Sequence, residues 1–489
     1  MALAKNIGIA EIAELLKTGD ESSKSLCASF LELARERDPI VHAFLKIDEE
    51  RIMKAADDSD ARRKAGKELS PYDGIPIAMK DNISVEGERC SCASKILENF
   101  VSPYDATVIK KLKSAGMIPF GRTNMDEFAM GSSCENSAFL KTANPWDTKR
   151  VPGGSSGGSA ASVAASMAPA ALGSDTGGSI RQPAAFCGVV GLKPSYGMVS
   201  RYGLVAFASS LDQIGPFTNS VLDSAIMLDV ISGRDPMDCT SLGGKFANFA
   251  DIVSKADSIE GMRVGIPSEC VECEGLDDSI RKNLKDSAEL LKSLGASIKE
   301  VSLPHWKYSV SSYYVIATAE ASANLARFDG IRYGLREKSD KLSEIYTRTR
   351  GAGFGEEVKR RILLGTFVLS SGYYDAYYLR AQKTRTLIKK DYEDAFKSCD
   401  VILTPVTPTP AFEFDSKSSP LQMYLSDIFT ISVNLAGNCA ISVPSGMCQV
   451  SGLPIGIQIT ADFMREDILL KTAHLFEQNR EMKKFSPLL

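Results

Sequence analysis

Apolar and polar positions follow two textures along this chain. Over roughly the first 65 residues the apolar side chains recur at helical spacing. Between Ser22 and Arg37, Leu26, Phe30, Leu31 and Leu33 share one face, and the serines at the start suit a helix cap. The charged run Asp57 to Ser70 predicts a helix end or a connection. Beyond it, short apolar runs alternate with glycine turns: Gly74 to Lys80, Gly116 to Gly121 and Ala168 to Gly173. Helical stretches, Asp105 to Ala115 and Gly158 to Met167, lie between them. Strand and helix in alternation predict a layered α/β core. A more polar segment, 235–302, is expected to be an excursion from that core. Helical patterns return between Val310 and Lys397, most clearly at Ile362, Leu363, Phe367 and Leu369, and a last helix is expected from Ile468 to Glu481. The expected division is a helical segment, 1–65, followed by one large domain, 66–489.

Composition narrows the function classes. The chain has 489 residues, 44% apolar and 24% charged, as a water-soluble globular protein would. A net charge of −4 argues against a general nucleic-acid surface. The opening residues lack the apolar stretch of a secretion signal, and no window reaches the length of a membrane span. A cytoplasmic or organelle-matrix protein, neither secreted nor membrane-bound, is expected. The 11 cysteines are scattered, and Cys270-Val-Glu-Cys273 lacks the second ligand pair of a zinc site, so no metal site is expected.

With only His42, His305 and His474, none beside a glycine-rich turn, a serine–histidine or cysteine–histidine enzyme is disfavoured. The segment Arg150-Val-Pro-Gly-Gly-Ser-Ser-Gly-Gly-Ser leads directly into an alanine-rich helix, unlike a flexible linker. It has Ser159 where a phosphate loop needs lysine, and it lacks the G-x-G-x-x-G spacing of a dinucleotide site. Next comes a strand, then the turn Ser174-Asp-Thr-Gly-Gly-Ser179, then a helix start near Ile180. Backbone N–H groups on such a turn can converge to hold a developing oxyanion. Helix capping alone is the competing use of the same serine.

Three pieces now stand together: Ile77-Ala-Met-Lys80-Asp-Asn, Gly153 to Gly158, and Asp175-Thr-Gly-Gly-Ser179-Ile-Arg181-Gln-Pro183. Lys80 and Ser155 are 75 residues apart, Ser155 and Ser179 are 24 apart, and the whole resembles the amidase signature family. The resemblance runs from about residue 60 to the C-terminus. It implies an α/β fold with a large mixed central β-sheet flanked by helices on both faces, after an N-terminal helical segment. It further implies Ser179 as nucleophile, Ser155 as a bridging serine on a cis peptide bond, and Lys80 as base. The N–H groups of Thr176, Gly177, Gly178 and Ser179 would form the oxyanion hole.

Such a base must be uncharged. A free lysine has a pKa near ~10.4, so at neutral pH fewer than about one in a thousand is neutral. Burial at the end of the apolar strand Ile75 to Met79 favours the neutral amine. Asp81 would oppose that if it pointed inward, so it is expected to face away and be used locally.

Finer likenesses point to one branch of the family. They include Asn124-Met-Asp-Glu-Phe-Ala-Met-Gly-Ser-Ser, Asn144-Pro-Trp-Asp, the run Tyr196 to Asp212, Lys359-Arg-Arg-Ile, and Ser371-Gly-Tyr-Tyr-Asp-Ala-Tyr-Tyr378. The branch comprises the A subunits of glutamyl-tRNA(Gln)/aspartyl-tRNA(Asn) amidotransferases. This implies hydrolysis of glutamine through an acyl-enzyme and release of ammonia to a B subunit, braced by a small C subunit. The B subunit would use ATP and Mg and hold most of the tRNA contacts; no cofactor is expected in this chain. A free amino acid needs its carboxylate and ammonium recognised together. Arg361 and Asp427 suit those tasks, and with Tyr313 they match the branch's glutamine-binding positions. One departure is Asn438-Cys439, where the branch commonly has proline, read as a loop variation. The rival readings are a self-sufficient amide hydrolase and a subunit that keeps the fold for assembly without catalysing anything.

Overall fold

A computed structural model describes residues 6–244, 246–417, 419–480 and 487. Its centre is one sheet of 11 strands. In chain order these are β1 (Phe44–Lys46), β2 (Pro76–Lys80), β3 (Ile118–Thr123), β4 (Ala170–Asp175), β5 (Val190–Lys193), β6 (Gln213–Thr218), β7 (Arg263–Pro267), β8 (Ser297–Val301), β9 (Val401–Pro405), β10 (Cys439–Met447) and β11 (Pro454–Ala461). Their order across the sheet is β1-β3-β2-β4-β6-β5-β10-β11-β9-β7-β8. The sheet is mixed: β2 runs parallel to β3 and β4, and β7 runs parallel to β8 and β9. The remaining pairs are antiparallel. Strands β2, β4, β5, β6, β9 and β11 are buried along their whole length, which explains why they read as unbroken apolar or small-residue runs.

The predicted strands and their neighbouring helices fall close to their expected places. The helix Ser23–Val41 is capped by Ser22, whose hydroxyl accepts from the Ser25 N–H, and buries Leu26, Phe30 and Leu31. The last helix spans Glu466–Asn479; the predicted end at Glu481 lies outside the described residues. Three expectations change. The N-terminal 65 residues are mainly helical, yet Phe44–Lys46 leaves that layer to become the edge strand beside β3. The polar segment 235–302 is no excursion: it supplies β7 and β8, parallel strands at the opposite end of the same sheet. Its polarity comes from edge strand β8, where only Val301 is buried. Cys439 opens β10 opposite Ala461 and belongs to no loop. Among the described residues no helix is long and apolar enough to cross a membrane.

The apolar spacing at 362–369 also has another meaning. In the helix Glu356–Val368 the buried positions are Val358, Arg361, Gly365 and Val368, while Leu363 is 70% exposed and Phe367 43% exposed. The helical period was legible, but the apolar stripe faces outward.

Parallel pairing of β2 with β4 places their carboxyl ends on one edge, with Ala78 opposite Ala171 and Met79 opposite Leu172. The helix Gly157–Ala164 lies across these strands, buried throughout. Its approach needs glycine: a Cβ on Gly158 would lie 2.5 Å from the carbonyl oxygens of Ala43 and Asn124. Those contacts are backbone and cannot rotate aside. Gly158→Ala is therefore expected to destabilise the protein by about 1–3 kcal/mol, the usual cost of overpacking, measured as a lower urea midpoint at unchanged slope. An unchanged midpoint would show that the helix is free to move off the sheet.

Candidate active site

Lys80 is the last residue of β2 and is fully buried. Its Nζ lies 2.7 Å from Ser155 Oγ, 2.8 Å from Ser156 Oγ and 2.9 Å from Ser174 Oγ. Among the described residues it has no carboxylate within 4.0 Å. Burial pushes the amine down to about 7, against the more distant pull of Asp126, Asp175 and Asp212. Asp81 turns away: its carboxylate accepts from Arg122 Nε at 3.1 Å and from the Ser91 N–H and hydroxyl. Of the three hydroxyls on the amine, Ser155 was expected. Ser156 was visible as the second serine of the doublet, and Ser174 as the residue before the Asp175 turn.

Ser155 stands where the chain turns from loop into the helix Gly157–Ala164, and the Gly154–Ser155 peptide is cis. Gln182 holds this turn, accepting from the Gly154 N–H at 2.9 Å and donating to the Ser132 carbonyl at 2.8 Å. The Ser156 N–H in turn donates to the Ser179 carbonyl at 3.3 Å, so the two serine turns are hydrogen-bonded backbone to backbone. The Ser179 hydroxyl has no hydrogen-bond partner among the described residues, and its side chain is only half-buried. A lysine–serine contact is thus present, whereas a Ser155–Ser179 side-chain bond is not.

The turn after β4 is organised by Asp175. Its carboxylate accepts from the Gly178 N–H at 2.8 Å, from the Ile180 N–H at 3.1 Å, and from both Nε and Nη2 of Arg181. Burial would raise this acid, but the Arg181 charge and its hydrogen bonds hold it down at about 2, so it stays ionised. The Gly178 N–H, expected among the oxyanion donors, is held by Asp175 in this structure. The N–H groups of Thr176, Gly177 and Ser179 have no acceptor among the described residues and remain as donors. Gly178 has φ +141°, and a Cβ there would lie 2.2 Å from Thr430 Oγ1.

The three candidate substrate-binding residues gather on the same side. The Tyr313 ring packs on Gly177, whose Cβ would lie 2.7 Å from its Cζ. Burial keeps this phenol protonated, and Arg361 and Asp427 both act on it. Arg361 is buried and donates to Glu357 Oε1 at 2.8 Å and to the Gly131 carbonyl at 2.7 Å. Its guanidinium carbon lies 5.2 Å from the Tyr314 ring centre and 5.3 Å from that of Tyr424. Burial opposes its charge, yet Tyr314, Glu357, Tyr424 and Tyr313 hold it above the ordinary guanidinium value. Asp427 is buried, accepts a hydrogen bond from the Ser132 hydroxyl, and leaves Oδ1 without a partner. Burial raises it to about 7. Neighbouring residues of one loop, Gly131 and Ser132, therefore hold the cation and the anion. A Cβ on Gly131 would lie 3.0 Å from the Ser155 nitrogen, so that loop rests on the serine turn.

His305 pairs with Asp391 at 2.8 Å, well away in sequence and contacts from the serine–lysine cluster. Among the described residues no group of acids, histidines and cysteines is placed to hold a metal ion. A cavity of about 580 Å³ lies between the helix Asp278–Ser293 and the β10–β11 hairpin and shares no residue with the cluster.

Comparison with known proteins agrees with this geometry. The family model described as Amidase matches residues 25–470. The A subunit of glutamyl-tRNA(Gln) amidotransferase from Carboxydothermus hydrogenoformans is 54% identical over 481 residues, covering 98% of each chain. Its counterpart of the same name from Geobacillus kaustophilus is 54% identical over 483 residues, covering 98% of this chain and 99% of its own. The crystal structure of the glutamyl-tRNA(Gln) amidotransferase A subunit from Thermotoga maritima superposes with TM-score 0.82 at 44% identity, covering 99% of this chain and 98% of the other. A peptide amidase from Stenotrophomonas maltophilia superposes with TM-score 0.83 at 27% identity, covering 98% of both. Likeness of that extent, on a mixed sheet whose edge brings a buried lysine to paired serine turns, makes this chain a member of the amidase family.

Proposed function

We propose that the chain is the glutaminase of a tRNA-dependent amidotransferase, hydrolysing glutamine and passing ammonia to a partner subunit. That partner would amidate Glu-tRNA(Gln), with Asp-tRNA(Asn) as a second acceptor. The observation that carries the reading is the amine of Lys80, fully buried among hydroxyls and drawn down to about 7. About half of such lysines are proton-free at neutral pH, enough to serve as a base.

In the proposed reaction Ser179 attacks the side-chain amide carbon. Its proton passes to Ser155 as Ser155 gives its own to Lys80, and the N–H groups of Thr176, Gly177 and Ser179 receive the developing oxyanion. The hydrogen bond between the Ser156 N–H and the Ser179 carbonyl supports this by keeping the two turns adjacent. The proton then returns through the same groups to the departing ammonia, and water hydrolyses the acyl-enzyme. Arg361 would hold the α-carboxylate, and the free Oδ1 of Asp427 the α-ammonium. Selectivity for a zwitterionic substrate over a plain amide would follow chiefly from Asp427, whose buried Oδ1 a plain amide leaves unpaired, since Arg361 is already paired with Glu357.

The outward apolar face supports assembly with a partner. Leu363, Leu364, Phe367, Leu369, Tyr373 and Tyr377 are all exposed along consecutive turns, and the Phe367, Tyr373 and Tyr377 rings cluster together. Contiguous apolar surface of this kind marks a protein contact. It lies on the outside of the same helix that carries Arg361.

Three outcomes are expected. For glutamine hydrolysis, kcat should rise about tenfold per pH unit below about pH 7 and flatten above it, because raising the pH strips the proton from Lys80. A falling limb in that range would mean that a protonated group does the work. Ser179→Ala should lower glutamine-dependent amidation at least about a thousandfold while sparing amidation from added ammonium; loss of both would remove the ammonia-supply role. Leu363→Glu combined with Phe367→Ser should leave hydrolysis by the isolated chain unchanged but abolish co-purification with its partner subunits. Intact assembly in that variant would remove this face as the docking surface.

A further inference from the structure

Thr430 stands between the two halves of the site and has no role in the scheme so far. It is fully buried, between the turn Leu425–Asp427 and the helix Ile431–Ala436. Its hydroxyl lies 2.6 Å from the Gly177 carbonyl oxygen and 3.0 Å from the Asp427 carbonyl oxygen, and donates to this pair. Its N–H donates to the same Asp427 carbonyl at 3.0 Å. Its own carbonyl accepts from Arg181 Nη1 at 3.0 Å. No other side chain among the described residues hydrogen-bonds both the oxyanion turn and the residue that faces the substrate ammonium.

The consequence lies in one peptide plane. The Gly177–Gly178 peptide has its carbonyl held by Thr430 and its N–H held by Asp175. Glycines on both sides give that plane little resistance to rotation. Turned over, it would lose both bonds and set its carbonyl oxygen against the Asp175 carboxylate, displacing the turn that carries the Thr176, Gly177 and Ser179 N–H groups. Holding the carbonyl back therefore keeps the neighbouring donors usable. The same hydroxyl hydrogen is shared, at the longer distance of 3.0 Å, with the backbone carbonyl of Asp427, which the Thr430 N–H also holds. A shift of the Asp427 backbone on meeting an ammonium would therefore reach the Gly177 carbonyl through Thr430.

From this we infer that Thr430 is a positioning residue that couples recognition of the substrate α-ammonium at Asp427 to the alignment of the oxyanion turn. The inference rests on the glutaminase reading above. It states that the ammonium raises kcat as well as tightening binding.

The test compares glutamine with its analogue lacking the α-ammonium, 4-carbamoylbutyrate, in the wild type, Thr430→Val and Thr430→Ser. Valine keeps the shape and removes the hydroxyl; serine keeps the hydroxyl. In the wild type, kcat should be higher for glutamine than for the analogue. Thr430→Val should lose at least about tenfold in kcat on glutamine, with a smaller loss on the analogue, so that the kcat difference collapses. Thr430→Ser should restore it. Equal losses on both substrates, or a loss seen only in thermal stability, would reduce Thr430 to a packing residue and overturn the inference. Wild-type turnover of glutamine with Thr430→Val matching it would overturn this inference alone. Failure of wild type and Thr430→Ser alike to hydrolyse glutamine would overturn the glutaminase reading, and the coupling with it.

Discussion

An amine that must lose its proton is kept here without a carboxylate at its side, and much of the surrounding structure follows from that constraint. Lys80 could have been paired cheaply with Asp81, the next residue, which would have raised its pKa and removed the base. Instead Arg122, itself fully buried, captures Asp81 and turns it toward Ser91. The hydroxyls of Ser155, Ser156 and Ser174 satisfy the nitrogen without adding charge. Hydroxyls can both give and accept a proton, so the same shell serves the neutral and the protonated amine. A carboxylate shell would serve only the second.

Of the acids that act on Lys80 from a distance, Asp175 is neutralised in a pair that has structural work of its own, while Asp126 and Asp212 are held by backbone N–H groups and a hydroxyl. Asp175 and Arg181 are both fully buried and meet through two side-chain hydrogen bonds. Arg181 continues to Gln458, Asn434 and the Thr430 carbonyl. Leaving either ion alone at this depth would cost several kcal/mol, so the pair is obligatory once one member is present. Its effect is to fasten the turn that carries Ser179 to the C-terminal segment that carries Asp427. A turn with adjacent glycines would otherwise be among the softer parts of the chain.

Much of this was legible in the residues. The strand ends, the two serine turns and the lysine carried their own chemical signatures, because a buried strand and a glycine turn leave patterns that local rules can read. What escaped was whatever depends on partners distant in sequence. The polar run 235–302 looked like an excursion because an edge strand is solvated on one side and loses the apolar signal. The apolar stripe at Leu363 and Phe367 gave the right helix but not the direction it faces, since periodicity does not say whether a stripe meets the core or another molecule. The Gly178 N–H was assigned to the oxyanion because nothing local showed that Asp175 would fold back onto it. Thr430 lies 253 residues from Gly177 and has no motif at all.

The charges proposed to bind substrate lie in the same buried site as the proposed base. Asp427 and Lys80 are both drawn toward about 7 by burial, one upward and one downward. A carboxylate formed at Asp427 to meet an ammonium would, taken alone, make the site more negative and favour a protonated Lys80. On the reading proposed above, glutamine would avoid that penalty because it is a zwitterion: its ammonium would meet Asp427 while its carboxylate met Arg361, which Glu357 already pairs, so the bound molecule would add no net charge. A substrate offering only a carboxylate would leave the buried Oδ1 of Asp427 without a partner and add a negative charge to the pocket. Asp175 is the group common to both ends of the site: its charge pulls on Lys80 and on Asp427 alike, and Arg181 holds it in place.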